Sequence, residues 1–482
     1  MNGIEINDRQ NTKIIATLGP ASSSEENLLA LIKAGVDVFR LNFSHGTHEG
    51  HDEVINRICA IKKKYNIHIS ILADLQGPKL RVGIMENDGI EVEKGDILTF
   101  VNTKCVGTKE KIYMSYKKFA KDVKVGEKVL IDDGKLELEV VETNDIDEVK
   151  LKVLFGGMLS TKKGVNLPNT KISLPSLTKK DRIDLEFILE RPMINWVALS
   201  FVRTADDIKK LKAKIKAANH QAKVIAKIEK PEAILNLDKI IKASNAVMIA
   251  RGDLGIEVPI EQLPGLQKKI IEKCIKRSRP VIVATQMMDS MIKSPTPTRA
   301  EVTDVANAVL DGTDAVMLSA ETSVGAHPVK VVEAMCNIIE EAEKSYLCSD
   351  RIRPTTSRKS KTFLSDIICF NAGLTAEEVG AKGILGITES GYTAFKVSSY
   401  RPKTKIYIFS SQQNILATLN LVWGVRCFYY DSFTSTDETV VDTVEILKRE
   451  KLVERGDILI NTGSMPIKDR LRTNMLKVTV VK

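Results

Sequence analysis

No stretch of this chain approaches the roughly 18 consecutive apolar residues that a membrane-spanning helix needs, and residues 1–13 carry Glu5 and Asp8 where a secretory leader would have a basic segment and an apolar run. The expectation is a cytoplasmic protein with no membrane partner. Disulfide chemistry is also poorly represented. Cys59, Cys105, Cys274, Cys336, Cys348, Cys369 and Cys427 are odd in number, widely spaced and never form Cys-x-x-Cys, so they read as reduced thiols, mostly packed as small hydrophobes. Aromatic residues make up only 5% of the chain, with two Trp. No low-complexity segment is present, and no short-period repeat. The length of 482 residues excludes a peptide hormone, a toxin or a lone binding module.

What is present is the composition of an ordinary globular chain, 43% hydrophobic and 28% charged. The 71 basic and 62 acidic residues leave a net +9, compatible with nucleic acid, an anionic small substrate or a Lys-rich surface. The lysines are dispersed, as in Lys62-Lys63-Lys64 and Lys117-Lys118, without the interleaved aromatics that single-stranded nucleic-acid grooves use for stacking. A nucleic-acid partner is therefore not expected.

Eight short Val/Ile/Ala-rich runs each turn abruptly polar and are followed by a helical segment: 14–17, 38–44, 69–74, 196–203, 224–229, 246–253, 281–286 and 315–321. Apolar strands alternating with amphipathic helices are what a helix-covered parallel sheet produces, and eight in series predict a closed (β/α)₈ barrel of the TIM type, an α/β fold. Ser23-x-x-Glu26 and Thr298-x-x-Glu301 read as capping boxes, Gly35 and Gly312 as helix stops, and Val54, Ile58 and Ile61 as one apolar stripe.

The spacing locates an insertion. Glu229, Asp253, Gln286 and Glu321 follow one another at 24, 33 and 35 residues, but Asp74 and Ser200 lie 126 apart. The surplus, about 90 residues by comparison with the short units, alternates as β structure at 89–93 and 135–140, with Asp133-Gly134 as a hairpin turn. It reads as a small β-barrel lid above the strand ends. After a polar linker at 350–361, apolar strands at 383–387, 405–410 and 456–461 and the stripe Val440, Val444, Leu447 indicate a C-terminal α/β domain. The expected division is 1–77 and 174–346 for the barrel, 78–173 for the lid and 347–482 for a C-terminal domain suited to effector binding and oligomerisation.

In such a barrel the chemistry sits at the C-terminal ends of the strands, here Arg40, Asn42, Ser44, Asp74, Ser200, Arg203, Lys227, Glu229, Arg251, Asp253, Thr285, Ser319 and Glu321. Glu229 and Asp253 close neighbouring runs and offer hard oxygens suited to Mg²⁺ or Mn²⁺, ions usually held by one or two carboxylates plus substrate oxygens. With Arg40 and Lys227 added, the set suits an anionic phosphate or enolate, and phosphoryl transfer fits best. A trio of His45, His48 and His51 lacks an evident third ligand for the His48/His51 pair and is not read as a metal site. Met287, Met288 and Met291 and Trp196 read as core; Trp423 has no assignment.

The segments 12–20 (TKIIATLGP), 39–46 (FRLNFSHG), 226–232 (AKIEKPE), 249–255 (IARGDLG), 284–291 (ATQMMDSM), 297–301 (PTRAE) and 304–308 (DVANA) resemble the signature blocks of the pyruvate kinase family, and the resemblance runs from about Lys13 to the C-terminus. It implies transfer of the phosphoenolpyruvate phosphoryl group to ADP, giving pyruvate and ATP as in the last step of glycolysis. Position by position, it implies that Lys227 stabilises the phosphoryl group in flight and that Arg40 contacts it. Glu229 and Asp253 would hold Mg²⁺, Gly252 and Asp253 receive the substrate carboxylate, and Thr285 assist protonation of the enolate. Ser319 and Glu321 match further substrate-site residues, and Asn42, Phe43, Ser44, His45, Arg81 and Lys163 the nucleotide side. Many family members bind K⁺ near this site, for which Asn42, Ser44, Asp74 and Leu75 are the potential ligands. Here Lys79 stands where those members have Glu, which resembles the potassium-independent branch, an ammonium replacing the ion.

The resemblance extends to an effector loop at Thr388, Glu389, Ser390, Gly391, Tyr392 and Thr393, able to hold a sugar-phosphate or nucleotide effector or simply to cap a helix, with Lys468, Arg470 and Arg472 as further cations. A homotetramer is also implied. Two rival functions are another Mg²⁺-enolate barrel enzyme using phosphoenolpyruvate, which would leave the lid and third domain unexplained, and a non-catalytic effector-binding scaffold, which would leave the occupied strand ends unexplained.

Overall fold

A computed structural model describes residues 7, 9–345, 356–432, 435–466 and 471–482. Eight parallel strands, Lys13–Thr17, Val38–Asn42, Ser70–Asp74, Trp196–Leu199, Lys223–Ile228, Ala246–Ala250, Val281–Ala284 and Ala315–Leu318, pair in sequence order, and the eighth closes on the first. The strands match the apolar cores of the eight runs; the polar residues that end those runs fall at or just beyond the strand ends.

Alternation along the strands sorts the side chains into two layers. Ile15, Val38, Leu72, Trp196, Ala198, Ile225, Met248 and Ile282 fill the barrel interior. Ile14, Phe39, Leu41, Ile71, Val197 and Val224 face the helices, where Val54, Ile58 and Ile61 lie buried as the stripe predicts. Met287, Met288 and Met291 belong to this outer core. The Thr298 cap forms with both arms of the box, Thr298 Oγ1 accepting from Glu301 N and Glu301 bonding back to Thr298 N. At the first helix the expectation is off by one residue. Ser24 is the cap, accepting from Asn27 N at 3.1 Å, because Ser23 Oγ is taken by the Gly19 carbonyl at 2.7 Å. Gly35 ends that helix at φ 118°, a conformation that favours glycine.

Between the third and fourth barrel strands lies a seven-stranded sheet with a separate two-stranded one, packed around Leu98, Phe100, Val129, Leu138, Leu151 and Val153. Its hairpin Lys128–Ile131 with Leu136–Thr143 turns through Asp132, Asp133 and Gly134, all at positive φ. The chain returns to the barrel past Arg203, whose guanidinium holds the Ile172 and Leu174 carbonyls.

The C-terminal part is a five-stranded sheet in the order Val425–Tyr429, Lys405–Ser410, Gly383–Ile387, Ile458–Gly463, Met475–Val480, parallel except for the last strand. The strand expected at 456–461 begins at Ile458 because Gly456 sits in a left-handed turn at φ 98°. Of the expected linker only 356–361 is described, and the expected 346/347 boundary lies outside the described residues. Among the described residues no helix is long and apolar enough to cross a membrane.

This sheet's helices plug the N-terminal end of the barrel. Leu421 and Phe395 pack into the barrel-interior cluster, and Trp196 Nε1 donates to the Thr418 carbonyl at 3.2 Å. Arg401, 4% exposed, reaches the Gly312 carbonyl at 2.8 Å and Asp314 Oδ2 at 2.9 Å, and its guanidinium lies 5.1 Å from the Trp423 ring, which gives that residue its role. Removing one partner of a buried pair costs about 3–5 kcal/mol. Arg401→Met is therefore expected to lower the thermal midpoint by several degrees, measured by calorimetry, whereas neutralising the exposed pair Lys209–Asp206 leaves it unchanged.

Candidate active site

Interior positions alternate up each strand, so the residue two beyond the last interior hydrophobe also points inward. Val38 is followed by Arg40, Leu72 by Asp74, Ala198 by Ser200, and Ile225 by Lys227 and then Glu229. This parity converges five polar side chains at the C-terminal mouth. Arg40 places Nε and Nη2 on Asp74 Oδ2, each at 2.8 Å, and Nη1 on Thr17 Oγ1 at 2.9 Å. Lys227 Nζ lies 2.9 Å from Glu229 Oε1, 2.8 Å from Ser200 Oγ and 3.4 Å from Asp74 Oδ1. Ser200 Oγ donates to the Leu75 carbonyl at 2.7 Å, and Phe201 N donates to Glu229 Oε2 at 2.6 Å.

Asp74 and Glu229 are each 1% exposed. Burial works against the Lys227 ammonium, but the Asp74 and Glu229 carboxylates outweigh it and raise its pKa, so the amine stays charged. Burial pushes the Glu229 carboxyl up; Lys227 opposes this, and the neighbouring Asp253 carboxylate adds to the rise. Two carboxylates that repel each other, one buried and one without a side-chain hydrogen bond or ion pair among the described residues, suit a divalent cation. Asp74 Oδ1 is buried without a hydrogen bond, its charge met by Lys227 at 3.4 Å. The donors thus fit Mg²⁺ or Mn²⁺.

Thr285 follows the seventh strand in a left-handed conformation, φ 70°, which β-branched residues rarely adopt, and Gln286 continues it at 52°. Arg251 holds this turn. Its Nη2 donates to the Thr285 carbonyl at 2.9 Å while Asp304 grips the guanidinium through two 2.6 Å contacts. Thr285 Oγ1 accepts from Gly252 N at 2.7 Å, so that N–H is engaged in this state. The Glu321 carboxylate, pushed up by burial, accepts from Ser319 N at 2.6 Å and Met288 N at 3.2 Å. It orders the eighth strand end against the Thr285 loop.

On the other side of the mouth, Asn42 Oδ1 accepts from Ser44 N at 3.1 Å. Burial lowers the His45 pKa, and the cations Lys79, Arg81, Arg40 and Lys180 lower it further, which reports four positive charges around one exposed ring. Arg81 Nη1 bonds the Lys162 carbonyl at 2.9 Å and Lys163 pairs with Asp132 at 2.8 Å, both in the inserted domain. Lys79 is exposed and pairs with no carboxylate among the described residues; the cations the structure brings to Asp74 are Arg40 and Lys227. Lys79 instead lines a cleft of about 610 Å³ between barrel and insertion, which Asp253 also lines. Phe43 is buried, its ring stacked on His51 at 4.4 Å and its carbonyl bonded by Lys180. His48 pairs with Asp184 at 2.8 Å and His51 with the His45 carbonyl at 3.0 Å, so these histidines are structural. Among the described residues no group of three or more His, Cys, Asp or Glu could hold a metal.

The loop 388–393 joins the strand Gly383–Ile387 to the helix Tyr392–Ser399. Gly391, at φ 80°, donates to Thr388 Oγ1 at 3.0 Å, and Thr393 Oγ1 meets Thr473 Oγ1 at 2.7 Å. The Tyr392 hydroxyl is tied to Asp366, Glu389 has a partner of its own, and Arg472 bonds the Lys361 carbonyl. Lys468 and Arg470 lie outside the described residues. Sequence reasoning did not find Asp304 or the Lys230–Glu257–Asn166 contact that ties barrel to insertion at 2.6 and 3.0 Å. Both join residues too distant in sequence to leave a periodic signal, although Asp304 lies within a recognised block.

Comparison with known proteins now bears on this geometry. The family model described as pyruvate kinase, barrel domain, matches residues 9–332, and that described as pyruvate kinase, alpha/beta domain, matches 366–479. A pyruvate kinase of Geobacillus stearothermophilus is 42% identical over 480 residues, 98% of this chain and 81% of that one. Pyruvate kinase 2 of Synechocystis is 42% identical over 474 residues, 98% and 79%. A crystal structure of a pyruvate kinase from Cryptosporidium parvum superposes with a TM-score of 0.91 at 36% identity, covering 98% of this chain and 97% of that one.

The left-handed Thr285 yields a test. Glycine relieves a strain of about 1–3 kcal/mol while losing one hydrogen bond, worth about 1 kcal/mol net. Thr285→Gly is expected to keep or raise the thermal midpoint while turnover falls at least about 10²-fold, within the range a positioned proton donor contributes. A lowered midpoint would show that the turn is not strained.

Proposed function

The chain belongs to the pyruvate kinase family and is a phosphotransferase; on that premise we propose that the barrel mouth moves the phosphoryl group of phosphoenolpyruvate to ADP, with the residue roles below. The observation that carries the reading is the Lys227 ammonium, fixed between Ser200, Glu229 and Asp74 and kept charged by those carboxylates.

Phosphoryl transfer needs in-line positioning and charge neutralisation more than a covalent nucleophile. Lys227 and Arg40 stand on adjoining sides of Asp74, each held by other partners, so they meet the phosphoryl oxygens without reorganising. Glu229 and Asp253 hold Mg²⁺ or Mn²⁺, which when bound neutralises charge on phosphoryl and enolate oxygens. The substrate carboxylate is received at Gly252 and Asp253, where it competes with Thr285 Oγ1 for the Gly252 N–H and frees that hydroxyl. The P–O bond to the enol oxygen breaks as one forms to the terminal ADP oxygen. Thr285, directly or through water, then assists delivery of a proton to the methylene carbon. Ser319 and Glu321 position this loop. ADP phosphates lie among Asn42, Phe43, Ser44, His45, Arg81 and Lys163, the cationic side of the cleft.

Lys79 supplies, from the cleft wall, the positive charge that K⁺ supplies elsewhere, with Asn42, Ser44, Asp74 and Leu75 as the residual ion site. The loop 388–393 takes an anionic sugar-phosphate or nucleotide effector, and the chain assembles as a homotetramer.

Lys227→Met is expected to cut pyruvate release by at least about 10³-fold, comparable to removing a preorganised charge, with folding retained by circular dichroism; near-normal turnover removes Lys227 from the mechanism. In K⁺-free buffer the wild type is expected to turn over at the rate seen with K⁺, and Lys79→Glu to become K⁺-dependent. A wild-type rate that appears only with K⁺ discards the role given to Lys79.

A further inference from the structure

Barrel and inserted domain meet at a buried carboxylate to which the phosphoryl chemistry gives no role. Glu257 closes the helix Arg251–Glu257, about one turn beyond Asp253. Lys230 Nζ, itself nearly inaccessible, lies 2.6 Å from Glu257 Oε1. The same oxygen accepts from Asn166 Nδ2 at 3.0 Å, and Asn166 belongs to the inserted domain. Oε2 has no hydrogen-bond partner, so among the described residues Asn166 is the insertion's one donor to this carboxylate. Asn166, Lys230, Asp253 and Glu257 all line the cleft between the two domains.

The strand that carries Asn166 also carries the cations assigned above to the ADP phosphates. Lys163 immediately precedes the strand Gly164–Asn166, and Gly164 stands opposite Arg81 in an antiparallel pair. The Lys163 carbonyl accepts from Val82 N at 3.0 Å, and Arg81 Nη1 donates to the Lys162 carbonyl at 2.9 Å. Lys163 and Arg81 therefore move with Asn166 as one piece of sheet, about 10 Å of extended chain separating Lys163 from Asn166. At the other end of the Asn166 bond is the helix whose first turn holds Asp253. A hydrogen bond to a carboxylate is stronger than one between neutral groups, and an inserted domain lifted from the barrel gives this one up.

We propose that Asn166 is a positioning residue for the phosphoryl acceptor: its bond to Glu257 seats the strand bearing Lys163 and Arg81 against the helix bearing Asp253, and so places the ADP phosphates relative to the phosphoryl donor. The inference rests on the functional reading above. Apparent affinity is divided by the fraction of molecules in the competent arrangement, so loss of the bond weakens ADP binding. Saturating ADP restores turnover, and phosphoenolpyruvate, which binds on the barrel side, is unaffected.

The test measures KM for ADP and for phosphoenolpyruvate in the full chain with Mg²⁺, for the wild type, Asn166→Ala, Asn166→Leu and Asn144→Ala. Leu keeps the size of Asn and cannot donate. Asn144→Ala removes the bonds from Ile146 N, Asp147 N and Glu148 N to Asn144 Oδ1, which loosens a turn of the inserted domain without touching the barrel. Both Asn166 variants are expected to raise KM for ADP at least about fivefold, the low end of couplings between sites, with KM for phosphoenolpyruvate within about twofold of wild type and turnover at saturating ADP retained. Asn144→Ala is expected to keep the wild-type ratio of the two constants. An unchanged ratio in either folded Asn166 variant, or an equal change in Asn144→Ala, overturns the positioning role while wild-type turnover upholds the functional reading. A wild type that releases no pyruvate overturns that reading and this inference with it. If neither Asn166 variant folds by circular dichroism, the contact is structural and the positioning role is likewise overturned.

Discussion

The Asp74 carboxylate organises the barrel mouth. Nearly inaccessible, it accepts two Arg40 contacts on one oxygen and faces Lys227 with the other. The local charges are two cations, Arg40 and Lys227, against Asp74 and Glu229, with Asp253 as a third anion. With all three carboxylates ionised this set carries one net negative charge. A phosphorylated substrate adds further negative charge, and in a site of low effective dielectric that addition is unfavourable unless cations accompany it. A divalent ion held as proposed by Glu229 and Asp253 would reverse the sign, which would link substrate affinity and metal affinity by charge arithmetic. The two carboxylates beside Lys227 also oppose the effect of burial, which by itself lowers the pKa of the amine, and so keep its charge in place.

Around this network the protein tolerates strain. Thr285 at φ 70° is over-determined by Arg251, which is itself fixed by Asp304 on the following helix. That arrangement aims Oγ1 at Gly252 and so at the turn carrying Asp253. Three successive strand ends, those of the sixth, seventh and eighth strands, are therefore cross-braced by side chain to backbone contacts, the last through Glu321 and Met288 N. A loop held this way keeps its hydroxyl in place before the substrate arrives, which is what preorganisation requires.

Much of this was legible in the sequence, for identifiable reasons. The eight strands are short apolar runs that end in charge, and the period-2 rule carries Arg40, Asp74 and Lys227 to the inside once the strands are known. The size and place of the insertion follow from spacing. The missed features share a different property. The strands Val425–Tyr429 and Met475–Val480 are half-buried edge elements, so their apolar pattern is diluted. The shift of a helix cap from Ser23 to Ser24 depends on the Gly19 carbonyl capturing Ser23, a turn geometry that spacing does not encode. Arg251–Asp304 spans 53 residues and Trp196–Thr418 spans 222, contacts that only the closed fold creates. Lys79 was legible as a charge at a motif position, but not its place on the cleft wall, unpaired with Asp74.

The fourth strand gives these pieces one mechanical frame. Its first residue, Trp196, is bonded to the C-terminal domain through the Thr418 carbonyl, and Ser200, just past its last residue, bonds the Lys227 ammonium. Four residues of extended chain separate the two ends, about 13 Å at the usual rise per residue. The strand is buried throughout and packed on both faces, so it cannot absorb a displacement by bending into empty space. The helix Gln413–Leu419 thus touches the same strand whose far end holds Ser200 against Lys227. The fourth strand is thus one of the elements that join the C-terminal domain to the mouth, beside the Arg401–Asp314 pair before the eighth strand.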